Sequence, residues 1–183
     1  MANDGNSEPK TLFGHSGGAL HLTAADPRSM MQVGVWPDSA AAVQARIAAL
    51  AGLDTPLGPG RFVMKDGMIC VRTGFDSYLL IDVESEDATV DLPADLCTMT
   101  DLSHSRRGIA IEGPATAAFL NRDIAVDLAQ DACPAGSALQ TAMHHVPILL
   151  LRHAENRFAL YVYRSYAEDL MDWLTDMARP FAD

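Results

Sequence analysis

The chain has 183 residues, 49% apolar and 20% charged, the balance of an ordinary globular domain, which excludes collagen-like, low-complexity and wholly disordered readings. Asp and Glu outnumber Lys and Arg by 24 to 13, a formal charge of -11, and so acidic a surface repels phosphate backbones and anionic lipid headgroups. Neither nucleic acid nor a membrane is an expected partner: the longest apolar run, Val146 to Leu151, is far below the ~20 residues that span a bilayer.

The opening stretch, Met1 to Thr11, lacks the basic start and apolar middle of a secretory signal, which predicts a cytoplasmic protein. Residues 1–29 hold Gly14, Gly17, Gly18 and Pro27 among scattered single apolars. With no periodic face they read as a flexible arm, either disordered or ordered by a partner. Residues 30–183 are long enough to bury about two-thirds of their unfolded surface and predict one two-lobed domain, with lobes at about 30–96 and 97–183.

In the first lobe Gln32 to Trp36 reads as a strand, and Pro37-Asp38-Ser39 opens an Ala-rich helix through Leu50, striped by Val43, Ile47 and Leu50 and stopped by Gly52. Arg61 to Lys65 and Met68 to Arg72 flank Asp66-Gly67, the dipeptide of a two-residue hairpin turn, whose central residues both need positive φ. Tyr78 to Val83 adds a strand. Asp82, Glu84, Glu86, Asp87, Asp91 and Asp95 then read as a solvated connection between the halves.

The second lobe echoes this pattern. Thr98 to Ser103 and Gly108 to Glu112 are strand-like, Gly113-Pro114 starts a short helix through Leu120, and Asp123 to Leu139 is irregular. Gln140 to His145, Ile148 to Arg152 and Phe158 to Tyr163 read as strands. A closing helix begins at Ser165-x-x-Glu168, a capping box, with an apolar face of Leu170, Trp173, Leu174 and Met177. Strands broken by single helices in two halves predict an α+β fold of sheet-plus-helix layers. No sequence repeat is visible beyond that loose echo.

Few constellations carry chemistry. Cys70, Cys97 and Cys133 show no CxxC or CxH pairing and read as buried small hydrophobes. Asp101-Leu102-Ser103-His104 holds the residue types of a hydrolase triad, but Ser103 and His104 point to opposite faces of a strand, and no G-x-S-x-G elbow is present. These residues instead predict a strand end pinned by local hydrogen bonds. His144-His145, adjacent on a strand, diverge and predict no metal site. Neither G-x-G-x-x-G nor a P-loop occurs, and Gly58-Pro59-Gly60 is a turn. Arg106-Arg107 beside His104 is the one basic cluster of an acidic chain. It is a candidate clamp for a carboxylate, a phosphate or an acidic loop of a partner.

The stretch Thr100 to Leu120, T-D-L-S-H-S-R-R-G-I-A-I-E-G-P-A-T-A-A-F-L, resembles the D-[LV]-S-H…G-P-x-A…F-L segment shared by the glycine-cleavage T-protein and the gamma subunits of heterotetrameric sarcosine oxidases. The later run is similar to the gamma pattern P-G-S…Q-T…V-x-L-L-x-R…Y-V-x-R-S-Y…W-L. It comprises Pro134 to Thr141, Val146 to Arg152, and Phe158 to Trp173 with Arg164-Ser165-Tyr166. The resemblance covers roughly Gln32 to Ala178 and implies the folate-binding fold of the T-protein.

It also implies a small, non-catalytic subunit of a flavin-dependent enzyme that demethylates an N-methyl amino acid such as sarcosine. Alpha, beta and delta subunits would be its partners and would carry FAD, FMN, NAD and tetrahydrofolate, with no cofactor on this chain. Where the T-protein has G-G-[IV]-x-D-D, with the aspartate of folate chemistry, this chain has Met143-His144-His145-Val146-Pro147, with no carboxylate for acid–base work. His104, Arg106, Arg107, Arg164 and Tyr166 are the candidate interface or anion contacts, and Phe13 to Leu22 is expected in the subunit interface. The alternatives are a free-standing tetrahydrofolate-binding one-carbon transfer protein and a regulatory or scaffold domain.

Overall fold

The computed structural model describes residues 10–83 and 92–182. Glu84, Glu86, Asp87 and Asp91 of the acidic connection lie outside them, as does the start of the expected arm. The strands are β1 (Thr11–Phe13), β2 (His21–Ala24), β3 (Met30–Val35), β4 (Arg61–Lys65), β5 (Met68–Arg72), β6 (Ser77–Ile81), β7 (Cys97–Asp101), β8 (Arg106–Glu112), β9 (Ser137–Met143), β10 (Val146–Ala154) and β11 (Arg157–Tyr163). The helices are α1 (Ala40–Ala51), α2 (Thr116–Leu120) and α3 (Ala167–Ala178). All strand pairs are antiparallel, in one curled sheet of order β1-β2-β8-β11-β10-β9-β4-β5-β6-β3-β7. The fold is α+β, as the alternation of elements predicts.

Strand alternation sorts the core into three layers. Ile148 and Leu150 face α2 and α3 in a cluster with Ile109, Phe158, Leu170 and Leu174. Cys70, Tyr78 and Leu80 face Val43 and Ile47 of α1. The opposite sheet face joins both halves, because Met30, Val71, Leu79 and Ile81 pack with Leu149, Leu151 and Tyr161. Among the described residues, only β4 and β9 bridge the halves in the ladder, through Arg61↔Ser137.

Around that bridge lies an internal repeat that the sequence hides. Phe62 N–H donates to Gly136 O (2.9 Å), and Ala138 N–H donates to Gly60 O (2.8 Å). Gly60 N–H donates to Arg72 O and Gly136 N–H to Arg152 O, at 3.0 and 2.8 Å. Both glycines have positive φ, +68° and +81°, where an L side chain is strained. Each arginine then ties down its own half. Arg72 donates to the carbonyls of Leu57, Gly74 and Phe75; Arg152 donates to those of Leu128, Cys133, Ala154 and Glu155. The hairpin turns match too: Asp66-Gly67 has φ of 50° and 85°, His144-His145 of 47° and 65°.

Several sequence expectations are corrected. Residues 10–29 do not form an arm. β2 pairs with β8, and Leu20 and Leu22 are buried in this chain's own core, so they are not available to a subunit interface. The seat is specific: a Cβ on Gly108 would lie 2.1 Å from Ala25 O, and one on Gly113 2.5 Å from Ala19 O. The lobe boundary also shifts, since β7 pairs with β3 and belongs to the first half. His144-His145 is a hairpin turn and not strand. The Ser165 capping box does not form, because the chain enters α3 through a 3-10 turn at Arg164–Tyr166, whose i+3 bond from Ala167 N–H replaces a side-chain cap. By contrast Gly52 caps α1 in the left-handed conformation as expected, at φ 68° and ψ 33°.

Arg152 is 2% exposed, and replacing it orphans four backbone carbonyls. Arg152→Met is expected to lower the unfolding free energy by about 3 kcal/mol, and Arg72→Met, with three carbonyls, by less. Urea denaturation of the two variants measures both.

Candidate functional site

The D-L-S-H segment leaves the sheet after Asp101 and turns through residues 102–105. Asp101 Oδ1 accepts the Ser103 hydroxyl (2.6 Å) and the Ser103 N–H (2.9 Å), while Ser103 Oγ accepts the N–H of Met30 (3.0 Å). The serine proton therefore goes to the aspartate and not to His104, and the segment pins a strand end. The two Ser103 bonds hold the Asp101 carboxyl below the ordinary carboxylate value.

This turn brings most of the sequence candidates together. Arg164 N–H donates to Ser105 O (2.9 Å), so the ends of β8 and β11 share one edge. His104, Arg164 and Tyr166 are exposed there. Arg106 and Tyr163 are cross-strand partners; the guanidinium carbon lies 4.3 Å from the ring centroid, and Nη2 donates to the tyrosine oxygen (3.3 Å). Arg107 departs from this group because successive residues of β8 face opposite ways. Its Nε lies 2.6 Å from Asp26 Oδ2, and Asp26 Oδ1 accepts the Gly108 N–H (3.0 Å). Its charge is thus matched within the chain.

Arg106 and Tyr163 line a cleft of about 240 Å³ at the open end of the inner sheet face. Gln32, Thr73, Ser77 and Gln140 give it polar walls, and Leu79 and Leu149 an apolar floor. Gln140 Nε2 donates to Thr73 O (2.6 Å), which closes the cleft between the halves, and Thr73 Oγ1 lies 3.0 Å from Ser77 Oγ. Sequence reasoning missed these four polar residues. The available signal was a glutamine in each half at an inward strand position, two residues from Met30 in one and from Ala138 in the other.

A second, shallower depression of about 330 Å³ is lined by Arg122, Asp123, Trp173, Asp176 and Met177. Trp173 stacks on His144 (3.9 Å, 22°) and donates to Asp123 Oδ2 (3.3 Å). The His144-His145 hairpin turn thus serves as packing for α3. Among the described residues no three His, Cys, Asp or Glu side chains gather as a metal site, and no helix is long and apolar enough to cross a membrane.

No family model matches the chain. It is 28% identical to the sarcosine oxidase gamma subunit of Corynebacterium sp. (strain U-96) over 144 residues, 75% of this chain and 70% of that one. It is also 28% identical to the gamma subunit of an Arthrobacter sp over 156 residues, 82% and 77% of the two chains. A chain of the heterotetrameric sarcosine oxidase from Corynebacterium sp. U-96, solved in complex with pyrrole 2-carboxylate, superposes with a TM-score of 0.79 at 25% identity. That match covers 92% of this chain and 88% of the other. The chain is similar to the sarcosine oxidase gamma subunits. Aminomethyltransferase T of the glycine cleavage system from Bartonella henselae shares the fold at a TM-score of 0.58 and 15% identity, over 86% of this chain and 45% of that one.

A carboxyl whose folded pKa is lowered stabilises the fold above its unfolded pKa and loses that contribution as pH falls through the folded value. Acidification below the ordinary carboxylate range is therefore expected to lower the unfolding midpoint of the wild type more than that of Asp101→Asn, measured by denaturant titrations over pH. All three cysteines are buried, and burial pushes the Cys70 thiol up to about 12. A thiol reagent at pH 8 is expected to leave Cys70 unmodified in the folded chain and to label it after urea unfolding.

Proposed function

We propose that this chain is the small, non-catalytic subunit of a heteromeric, flavin-dependent enzyme that oxidatively demethylates an N-methyl amino acid such as sarcosine, and that its role is assembly. One observation carries this reading: the gamma-subunit likeness runs through nearly the full length of both chains at a TM-score of 0.79. Two features support it. The Met143–Pro147 hairpin offers imidazoles and apolar groups where one-carbon chemistry needs a carboxylate, and the Ser103 hydroxyl is committed to Asp101.

On this reading the larger alpha and beta subunits and a small delta subunit hold FAD, FMN, NAD and tetrahydrofolate, and the reacting groups are theirs. The exposed Tyr and Arg of the β8–β11 edge have the side-chain types that dominate the energy of protein interfaces. A free-standing tetrahydrofolate protein is the second reading, favoured by the fold shared with aminomethyltransferase T.

Co-expression with the larger subunits of its own oxidase is expected to yield a yellow complex containing this chain in stoichiometric amount, while the isolated chain neither turns over sarcosine nor binds tetrahydrofolate by calorimetry. Turnover or folate binding by the isolated chain would replace the assembly reading with the folate one.

A further inference from the structure

We propose that the inner cleft is a binding site for a small carboxylate with a carbon body, held by Arg106 and Tyr163. This goes beyond the assembly role and does not depend on it.

The first argument is charge. Acids outnumber bases by 24 to 13 in the chain, yet among the described residues no Asp or Glu lines the cleft, and the single ionised wall residue is Arg106. An acidic protein that keeps one cation and no carboxylate in a concave site has made that site selective for an anion.

The second argument is unused bonding capacity. Arg106 Nε is buried and has no hydrogen-bond partner among the described residues, while Nη2 donates to Tyr163, whose ring the guanidinium covers. Because Tyr163 Oη accepts from Arg106, its own proton remains to be donated. A guanidinium fork and a phenol together offer the planar donor set that a carboxylate accepts from.

The third argument separates a carboxylate from a phosphate. Arg107 points to the other sheet face and pairs with Asp26, which leaves Arg106 as the one cation among the described lining residues, so one positive charge faces one negative charge. Leu79 and Leu149 at the floor suit a carbon skeleton, as small-molecule sites do. The volume of about 240 Å³ equals about eight waters at ~30 Å³ each, room for an acid the size of benzoate.

The test uses the full chain, with benzoate as probe and benzamide as its neutral twin, followed by NMR at the Gln140 side-chain amide. Benzoate is expected to shift that signal saturably and benzamide to leave it unmoved. Arg106→Gln should weaken benzoate by about tenfold or more, Arg106→Lys less, and Tyr163→Phe by a smaller factor; near-UV circular dichroism verifies that each variant is folded. Equal responses to benzoate and benzamide, or a benzoate response untouched by Arg106→Gln, would overturn the site. So would binding in the isolated chain that vanishes in the assembled enzyme, since a partner's own carboxylate would then be the occupant.

Discussion

The structure depends on two reciprocal backbone hydrogen bonds, from Phe62 to Gly136 and from Ala138 to Gly60. They make the one ladder position, Arg61↔Ser137, at which the two half-sheets pair among the described residues, and they demand backbone twist that only glycine adopts without strain at those points. The buried arginines at the ends of β5 and β10 extend the same device outward, each replacing loop-to-water hydrogen bonds by loop-to-guanidinium ones. Because the seam fixes how the halves curl, it also fixes the inner face they share, and the cleft lies at the end of that face.

How much of this could be read from the residues follows from how local each signal is. Asp66-Gly67 and Gly52 announce a hairpin and a helix stop because a positive φ is a property of one residue. Strand period and Ala-rich helix are equally local, so nearly every element is legible. His144-His145 hides the matching hairpin, since positive φ is uncommon for residues other than glycine and the pair reads as strand. Leu20 and Leu22 form only a two-point alternation, too short to separate from a loop; Gly108 and Gly113 make the seat visible only once Ala25 and Ala19 lie against them. Pairing partners are not local at all, which is why β7 was expected in the wrong half. The same holds for the cleft: Arg106 stood out as a charge, whereas Gln32 and Gln140 became its walls only when the sheet curled.

The division between Arg106 and Arg107 shows how one strand assigns two roles to a dipeptide. One cation meets Asp26 and closes the N-terminal strand onto β8; its neighbour is left facing the interior with an aromatic platform beneath it. The motif shared with sarcosine oxidase gamma subunits thus has a structural half and an exposed half, and Asp101-Ser103 belongs with the former.

The outermost strands have a further consequence. β2 flanks β8 just as β7 flanks β3, yet β2 precedes the first half in the sequence and β7 is the last element before the second. During synthesis His21–Ala24 emerges from the ribosome early and has no ladder to join until Arg106–Glu112 follows, more than eighty residues later. No single cut of the polypeptide releases a half-sheet with all its own strands. The first half, β3 to β7, is a continuous insertion within the second, so separating them genetically takes two cuts, with β2 and β8 rejoined by a new linker.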